Sequence, residues 1–309
     1  MARRRVTVWF ADTHAGHRLG LMAPGTRLFE EDERGQLREY EPALTGTQEY
    51  LWRVYREHIA AAVEFAAGDE ILVFHNGDLT QGKAFGDQLV TTRLMDQLVI
   101  AYNNVSPWLE IPNVSTLRLV VGTGVHILSE ASSPVGLCKM LQLAYPDKDI
   151  QVVYHDRPVV DGAIFDVAHH GPSSGIREWT QGNQLRYYAR SIVFHDVFRA
   201  IHPPHQIVRA HFHRLWPETV HVRLSRRQLA FLRACEADDP ATLVGAWGDG
   251  DASLVFETDI TLLPSYCGMS EYGRKATGSQ STLSNGMVVM EVVDGRVTRP
   301  PPMMPPRPR

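Results

Sequence analysis

The sequence predicts a layered α/β fold, because strand-length apolar runs alternate with segments of helical periodicity in the first two thirds of the chain. The apolar runs end in polar or glycine-containing turns, as buried strands do; they are Val6–Phe10, Ile71–Phe74, Leu117–Val121, Ile150–Tyr154, Ile164–Ala168 and Gln206–Arg209. The segments of helical spacing are Thr47–Ala67, Leu89–Tyr102 and Val135–Tyr145. Gly68 is predicted to end the first of these helices.

The last third of the chain is β-rich and shows no internal repeat or linker. The strands predicted there are Val220–Leu224, Ser253–Leu263 and Met287–Val293, with a hairpin-type turn at Asp294-Gly295. We therefore predict a single domain over residues 1–298, with an acidic, glycine-containing insertion near 234–251. Residues 299–309 are rich in Pro and Arg and predict a disordered tail. The charged segment Leu19–Pro42 is predicted to be a long loop.

The composition is that of a globular protein with a full core, since 44% of the 309 residues are hydrophobic and 21% are charged. The formal net charge of -4 does not indicate a nucleic-acid binder, although a local basic patch stays compatible with it. Cys138, Cys235 and Cys267 are far apart, which excludes a disulfide framework and a CxxC metal site and favours a cytoplasmic setting. No apolar run reaches the length of about 18 residues that a membrane span needs.

Carboxylates and histidines follow the first two predicted strands. Asp12-Thr13-His14 comes directly after Val6–Phe10, and residues two apart on an extended segment point to the same side. Asn76-Gly77-Asp78 follows Ile71–Phe74, where the glycine allows a sharp turn at the carboxyl edge of the strand. Each motif alone is also compatible with a surface turn or a helix cap.

Two histidine clusters follow later strands, in a chain with 14 histidines. His169-His170 comes after Ile164–Ala168, and His211-Phe212-His213 comes after Gln206–Arg209. One histidine after a strand is usually structural, but two clusters beside two such aspartates predict a metal site. Oxygen and nitrogen ligands in this mixture suit Mn, Fe, Zn or similar divalent ions, and neither calcium nor an iron–sulfur cluster. His75 is predicted to be packed in the core, and His17 either lines the pocket or is a solvated loop residue.

In chain order the motifs are Asp-x-His, Gly-Asp, a glycine-containing turn with His126, His-His and His-x-His. This order resembles the calcineurin-like metallophosphoesterase family, whose pattern is DxH, GD, GNH(D/E), H and GHxH, and it spans Val6 to Arg214. The loop from Asp12 to Leu21 and the turn Gly122–His126 resemble members encoded by phages and prophages. The resemblance implies a four-layer α/β/β/α sandwich of two mixed β-sheets flanked by helices.

The resemblance also implies a site with two divalent ions, of Mn, Fe, Ni, Zn or Mg. The residues it assigns are Asp12, His14 and His213 to one ion, His169 and His211 to the other, and Asp78 to both. A metal-bound water would then be the nucleophile that hydrolyses a phosphate ester. His169 is taken as the ligand with His170 beside it as a substrate contact, and the reverse assignment leaves the mechanism unchanged.

The third motif departs from the family pattern. Here the residues are Gly122-Thr123-Gly124-Val125-His126, so the asparagine is absent and the histidine is displaced by two positions. Either Thr123 stands near the asparagine position while His126 reaches in as general acid, or His126 is itself a ligand of the second ion. A third alternative is that this segment is only a turn.

The functional prediction is a metal-dependent phosphodiesterase acting on a phosphate ester, with a nucleotide or nucleic acid as the favoured substrate class. That preference rests on the phage-type resemblance and on the Arg-rich segment Arg223–Arg227. One alternative is a DNA nuclease with the same chemistry. Another is a non-catalytic scaffold that keeps the fold, which the altered third motif favours. The sequence does not indicate an oligomeric state.

Overall fold

The computed structural model describes residues 4–84, 86–127, 132–173, 175, 180–199, 201–225, 254–268 and 284–299. The predicted insertion near 234–251 and residues 300–309 of the predicted tail lie outside the described residues. Arg299, at the start of that tail, donates to the side chains of Gln206 and Asp259. None of the helices in the described ranges has the length and apolar character needed to cross a bilayer.

The first sheet is mixed and runs through the centre of the fold. Its strands, in spatial order, are β14 (Arg296–Thr298), β13 (Val288–Val293), β1 (Arg4–Phe10), β4 (Glu70–His75), β5 (Val114–Val120) and β6 (Asp149–Val153). Strands β1, β4, β5 and β6 are parallel, whereas β13 pairs antiparallel with both β1 and β14. The parallel strands therefore end at one common edge.

The second sheet is also mixed. Its strands, in spatial order, are β11 (Trp216–Leu224), β12 (Leu254–Leu262), β10 (Gln206–Arg209), β9 (Ala163–Ala168) and β7 (His155–Asp156), and β8 (Val159–Val160) pairs with β9. Strands β9, β10 and β12 are parallel, and β11 and β7 are antiparallel to their neighbours. Three parallel strands thus end together in this sheet as well.

The helices are α1 (Gly46–Ala66), α2 (Leu94–Leu109), α3 (Gly124–Ile127), α4 (Ser132–Ala144) and α5 (Asn183–Phe198), with a 3-10 turn at Gly86–Gln88. A capping box between Thr45 and Gln48 starts α1, and a left-handed residue, Ala67, ends it one position before the predicted stop at Gly68. Helix α2 starts at Leu94 and not at the predicted Leu89, which forms a bridge with His17 instead.

Successive side chains of β1 point to opposite faces of the first sheet and so pack in different layers. Val8 and Phe10 pack with α1, α2 and α4 in the largest apolar cluster, whereas Trp9 points to the other face. There Trp9 stacks on Phe74 of β4 at a ring-centroid distance of 3.9 Å and on Phe165 of β9 at 5.2 Å. The two sheets therefore pack face to face. Since α5 covers the outer face of the second sheet, the four-layer α/β/β/α sandwich is confirmed.

The segment Leu19–Pro42, predicted as a long loop, contains a β-hairpin instead. Strands β2 (Leu28–Glu31) and β3 (Leu37–Tyr40) pair antiparallel and form a sheet of their own. The side chain of Asp32 accepts from the backbone N–H groups of Arg34 and Gln36, which holds the turn. The prediction was wrong because half of these strand residues are charged and most are exposed, so the apolar signal of a buried strand is weak.

Candidate metal centre

The predicted ligands come together at the edge where the parallel strands of both sheets end. Asp12 and His14 follow β1 and Asp78 follows β4 in the first sheet, while His169 follows β9 and His211 and His213 follow β10 in the second. Backbone hydrogen bonds join neighbouring strand ends within each sheet, since Asp12 N–H donates to Gly77 O in the first sheet and Ala210 N–H donates to His169 O in the second. Residues separated by as much as 201 positions in the sequence thus face one another across the sandwich.

Five of these six residues have a left-handed backbone. The φ angles are 54° at Asp12, 44° at His14, 51° at Asp78, 76° at His211 and 51° at His213. Positive φ is uncommon outside glycine and costs on the order of 1–3 kcal/mol for each residue. Such residues persist where surrounding structure holds them, and they concentrate at ligand-binding and catalytic sites. The turns aim these side chains into the space between the sheets.

Asp12, His14 and His213 form the first cluster. Nε2 of His14 lies 3.2 Å from Nε2 of His213, and Oδ1 of Asp12 lies 3.3 Å from Nε2 of His213. Asp12 is fully buried, yet its Oδ1 has no hydrogen-bond partner among the described residues. A buried carboxylate oxygen without a donor is costly, and a cation is the partner that this donor set suits.

Asp78 lies between the two clusters and is held by the third motif. The backbone N–H of Thr123 donates to its Oδ1 at 2.6 Å, and the Thr123 hydroxyl donates to its Oδ2 at 3.0 Å. Oδ2 also lies 3.1 Å from Nε2 of His169 and 3.9 Å from Nδ1 of His211. One carboxylate oxygen is therefore within reach of several imidazoles at once.

Backbone carbonyls orient two of the histidines. Nδ1 of His169 donates to Asn76 O at 2.7 Å, and Nδ1 of His126 donates to Gln81 O at 2.7 Å. With Nδ1 occupied, Nε2 of each ring faces Asp78, at 3.1 Å for His169 and 4.0 Å for His126. Metal-ligating histidines are commonly oriented in this way. The sequence does not reveal these carbonyl partners, because every residue has a carbonyl.

His169, His170 and His211 form the second cluster, with their ligand atoms within 4.8 Å of one another. His169 is buried and directed at Asp78, whereas His170 is exposed and its ring lies 4.9 Å from that of His211. This arrangement favours His169 over His170 as the inner group, with His170 at the solvent side.

The third motif reaches the site in spite of its altered spacing. The Thr123 hydroxyl lies 3.3 Å from Nε2 of His169 and 3.2 Å from Nδ1 of His211, beside the second cluster. His126 instead lies beside the first cluster, with its ring 4.8 Å from that of His14. A segment that is only a turn does not fit these contacts, and the geometry favours Thr123 rather than His126 as the group next to His169 and His211.

The electrostatics keep the carboxylates ionised. Burial opposes ionisation of Asp78, but the neighbouring imidazoles hold its pKa well below the ordinary value. Burial lowers the pKa of His14 well below its usual range, so this imidazole is neutral. Burial also opposes protonation of His169, but the charge of Asp78 outweighs it and raises the pKa of His169 to about 9. Ionised carboxylates and neutral imidazoles are the forms that bind metal ions, so a metal ion at His169 would displace the proton that Asp78 holds there.

Two glycines make room for these side chains. A Cβ on Gly122 would collide with the carboxylate and backbone of Asp78, and a Cβ on Gly77 would collide with the His169 ring. His75 is packed in the core, as predicted, with Nε2 2.9 Å from the Thr13 hydroxyl. His17 is buried and accepts from Leu19 N–H, so it is not a solvated loop residue.

One residue near the site was not predicted. Cys267, in the loop after β12, has its sulfur within 4.8 Å of a ring nitrogen of His14 and of His213. Burial raises the pKa of its thiol, and the carboxylates of Asp12 and Asp78 act in the same direction. An isolated cysteine far from every other motif carries no metal-ligand spacing, so the sequence offered no signal for it.

No protein-family model matches the sequence, and no curated protein matches it significantly. Among solved structures, wild-type Vps29 from Entamoeba histolytica, complexed with Zn²⁺, is similar over 96% of this chain and 99% of that chain. The identity is 10% and the TM-score is 0.34. The four-layer sandwich follows from the strands and helices of this chain and not from that similarity.

Proposed function

We propose that the protein is a metal-dependent phosphoesterase that cleaves phosphodiesters in preference to monoesters. The observation that carries this proposal is that two carboxylates, one of them Asp78, and four imidazoles meet at the strand ends of both sheets. Mixed oxygen and nitrogen ligands of this kind suit divalent transition metals. The order of motifs, which resembles that of calcineurin-like metallophosphoesterases, supports the same class.

The residues that would hold two divalent ions are Asp12, His14 and His213 for one, His169 and His211 for the other, and Asp78 for both. Bound there, such ions supply a nucleophile from water at neutral pH and neutralise charge on the phosphoryl oxygens. The ionised carboxylates of Asp12 and Asp78 offset the charge of the ions. The Asn76 carbonyl orients His169, whose Nδ1–H it accepts.

His126 is the residue that we assign as general acid. Its Nδ1–H is anchored on the Gln81 carbonyl, and its Nε2 faces the centre 4.0 Å from Asp78. A proton on Nε2 can therefore pass to the leaving oxygen of a substrate bound between the clusters. The side chain is 11% exposed, which leaves it accessible from the substrate side.

The groups next to His213 favour a substrate that carries a base beside its phosphate group. Arg214 lies over the indole ring of Trp216, with its guanidinium carbon 4.5 Å from the ring centroid. A guanidinium contacts phosphate oxygens and an aromatic face stacks on bases, so a nucleotide or a nucleic acid suits this side of the site. The net charge of -4 makes a small nucleotide the better candidate of the two.

The test is hydrolysis of bis(p-nitrophenyl) phosphate and p-nitrophenyl phosphate after removal of metal and addition of Mn²⁺, Ni²⁺, Zn²⁺ or Mg²⁺. We expect turnover that depends on metal and is faster for the diester. Asp78→Asn keeps the shape of the side chain but removes its charge, so we expect turnover and bound metal to fall at least about 100-fold. Absence of turnover with every metal would contradict the proposal.

The role of His126 is tested with a second diester that carries an alkyl leaving group. A nitrophenolate departs without a proton, whereas an alkoxide needs one, so His126→Ala should slow the alkyl diester by about 10²–10⁴-fold. The nitrophenyl diester should be affected much less. His195→Ala, an exposed histidine on α5, is the matched control. Equal loss with both substrates would exclude the general-acid assignment.

A non-catalytic scaffold is the second candidate, and Thr123 is the observation that favours it. Its hydroxyl contacts Asp78, His169 and His211 directly, and it occupies the motif in which the family pattern has asparagine. Such hydrogen bonds can hold the side chains together without a metal ion. A protein that binds no metal by elemental analysis and shows no turnover would support the scaffold.

A further inference from the structure

The segment after β12 brings a thiol to the buried side of the first cluster. Ser265 bridges to Ala11, and Cys267 bridges to Gly20, so this segment runs beside the loop that carries Asp12 and His14. The amide of Asn285 donates to the carbonyls of Ser265 and Cys267, which holds the segment in place. Cys267 is 4% exposed, so solvent does not compete for its sulfur.

The sulfur lies among groups that are arranged to bind a cation. Sγ of Cys267 and ring nitrogens of His14 and His213 all lie within 4.8 Å of one another. The same two rings face Oδ1 of Asp12, at 3.9 Å from Nε2 of His14 and 3.3 Å from Nε2 of His213. That oxygen is fully buried and has no hydrogen-bond partner among the described residues. This observation points to a cation independently of the cysteine.

We infer that Cys267 is a further ligand of the metal ion held by Asp12, His14 and His213. The inference rests on the metal centre of the proposed function and adds a sulfur donor to it. A thiol binds a metal ion as the thiolate, so one proton leaves Sγ for solvent when the bond to the metal forms. The Sγ–H contact to Gly268 O, at 3.4 Å, is given up at the same time.

A thiolate changes which ions this position prefers. Sulfur and imidazole together suit Zn²⁺ and related ions, whereas Mg²⁺ and Mn²⁺ prefer oxygen ligands. Cys267 approaches from the buried side, and the side chain of His213 is 22% exposed. The sulfur therefore leaves the exposed side of the cluster available for substrate, and this position selects Zn²⁺, Co²⁺ or Fe²⁺ over Mg²⁺.

The experiment is Co²⁺ substitution of the full-length protein, followed by absorption spectroscopy. A Co²⁺–thiolate bond gives a charge-transfer band in the near ultraviolet that nitrogen and oxygen ligands do not give. We expect this band in the wild type and its loss in Cys267→Ser, with Zn²⁺ affinity at least about tenfold weaker and Mn²⁺ affinity little changed. Cys138→Ser is the matched control, because that thiol is also buried but belongs to α4 and donates to Ile150 O. Cys235→Ser controls for the third cysteine.

The outcomes distinguish an error about the sulfur ligand from an error about the metal centre itself. Co²⁺ bound without a charge-transfer band, or a band that persists in Cys267→Ser, overturns the role of Cys267 and leaves the proposed function standing. Failure of the wild type to bind Co²⁺ or Zn²⁺ overturns both. Thermal unfolding of the metal-free variants, with Cys267→Ala beside Cys267→Ser, shows whether a lost band comes from the missing ligand or from a damaged fold.

Discussion

At the scale of single residues, the site is organised around the carboxylate of Asp78. Its Oδ1 is fixed by the Thr123 N–H, and its Oδ2 lies 3.1 Å from His169 and 4.0 Å from His126. Glycine at position 122 lets the ends of β4 and β5 approach closely, since any Cβ there would occupy the space of Asp78. The absence of a side chain at one residue therefore determines the position of a charge on another.

This close approach leads to a prediction for Gly122→Ala. The added methyl group must displace the Asp78 carboxylate or backbone, so we expect metal affinity to fall about 10–100-fold, as when a supporting contact of a ligand is lost. Isothermal titration with Zn²⁺ or Mn²⁺ measures the change. Gly124→Ala is the matched control, because no heavy atom lies within 4 Å of the Cβ it would add. Equal affinities of the two variants would contradict the steric argument.

At the scale of secondary-structure elements, a buried histidine attaches α1 to the segment after β12. Nδ1 of His58, on α1, lies 2.7 Å from the hydroxyl of Tyr266. Burial lowers the pKa of His58 to about 4, from an ordinary value of 6.5. The helix therefore carries a neutral imidazole in the folded protein, whereas the unfolded chain binds a proton at higher pH.

The difference in proton binding predicts how stability depends on pH. His58 contributes fully above about pH 6.5, and its contribution falls as the pH decreases toward about 4. Between pH 7.5 and pH 5, we expect about 2 kcal/mol of the loss in unfolding free energy to come from this residue. Urea denaturation of the wild type and His58→Gln in EDTA measures it.

The variant should lose less stability than the wild type over that range, because glutamine does not titrate. His195→Gln, an exposed histidine on another helix, should behave as the wild type does. If the two profiles of the wild type and His58→Gln stay parallel from pH 7.5 to pH 5, His58 is not the titrating group.

At the scale of the whole molecule, the candidate centre connects the two sheets. Asp12 and Asp78 belong to the first sheet, while His169, His211 and His213 belong to the second. Apolar packing of Trp9 against Phe165 holds the sheets together away from the site. A metal ion would add a second connection, between strand ends that are otherwise joined by hydrogen bonds such as His211 N–H to Asp12 Oδ2 at 3.3 Å.

We therefore expect metal ions to stabilise the fold as a whole. An ion that binds only the folded state, at 100 times its Kd, raises the free energy of unfolding by about 2.7 kcal/mol. Differential scanning fluorimetry with EDTA and then with Zn²⁺ or Mn²⁺ measures the change in Tm. Asp78→Asn is the control and should respond little. A wild type whose Tm is unchanged by every metal would contradict a centre that spans both sheets.

The sequence by itself determined the local features. Apolar runs predicted the strands β1, β4, β5, β9 and β10, and the polar groups directly after them identified the candidate ligands. These signals are local, since a strand and the turn that follows it are encoded within about ten residues. The departure of Gly122–His126 from the family pattern was also visible in the sequence. Which of its residues lies beside the candidate ligands was not. The hairpin at 28–40 was missed because half of its strand residues are charged and most are exposed.

Only the tertiary structure decided how these local pieces meet. Thr123, rather than His126, lies beside His169 and His211, because the loop after β5 turns back over Asp78. Cys267 reaches His14 and His213 across more than 50 positions of sequence, through the pairing of its loop with Gly20. Such contacts depend on sheet register and on the packing of two sheets, which no pattern within a short segment encodes.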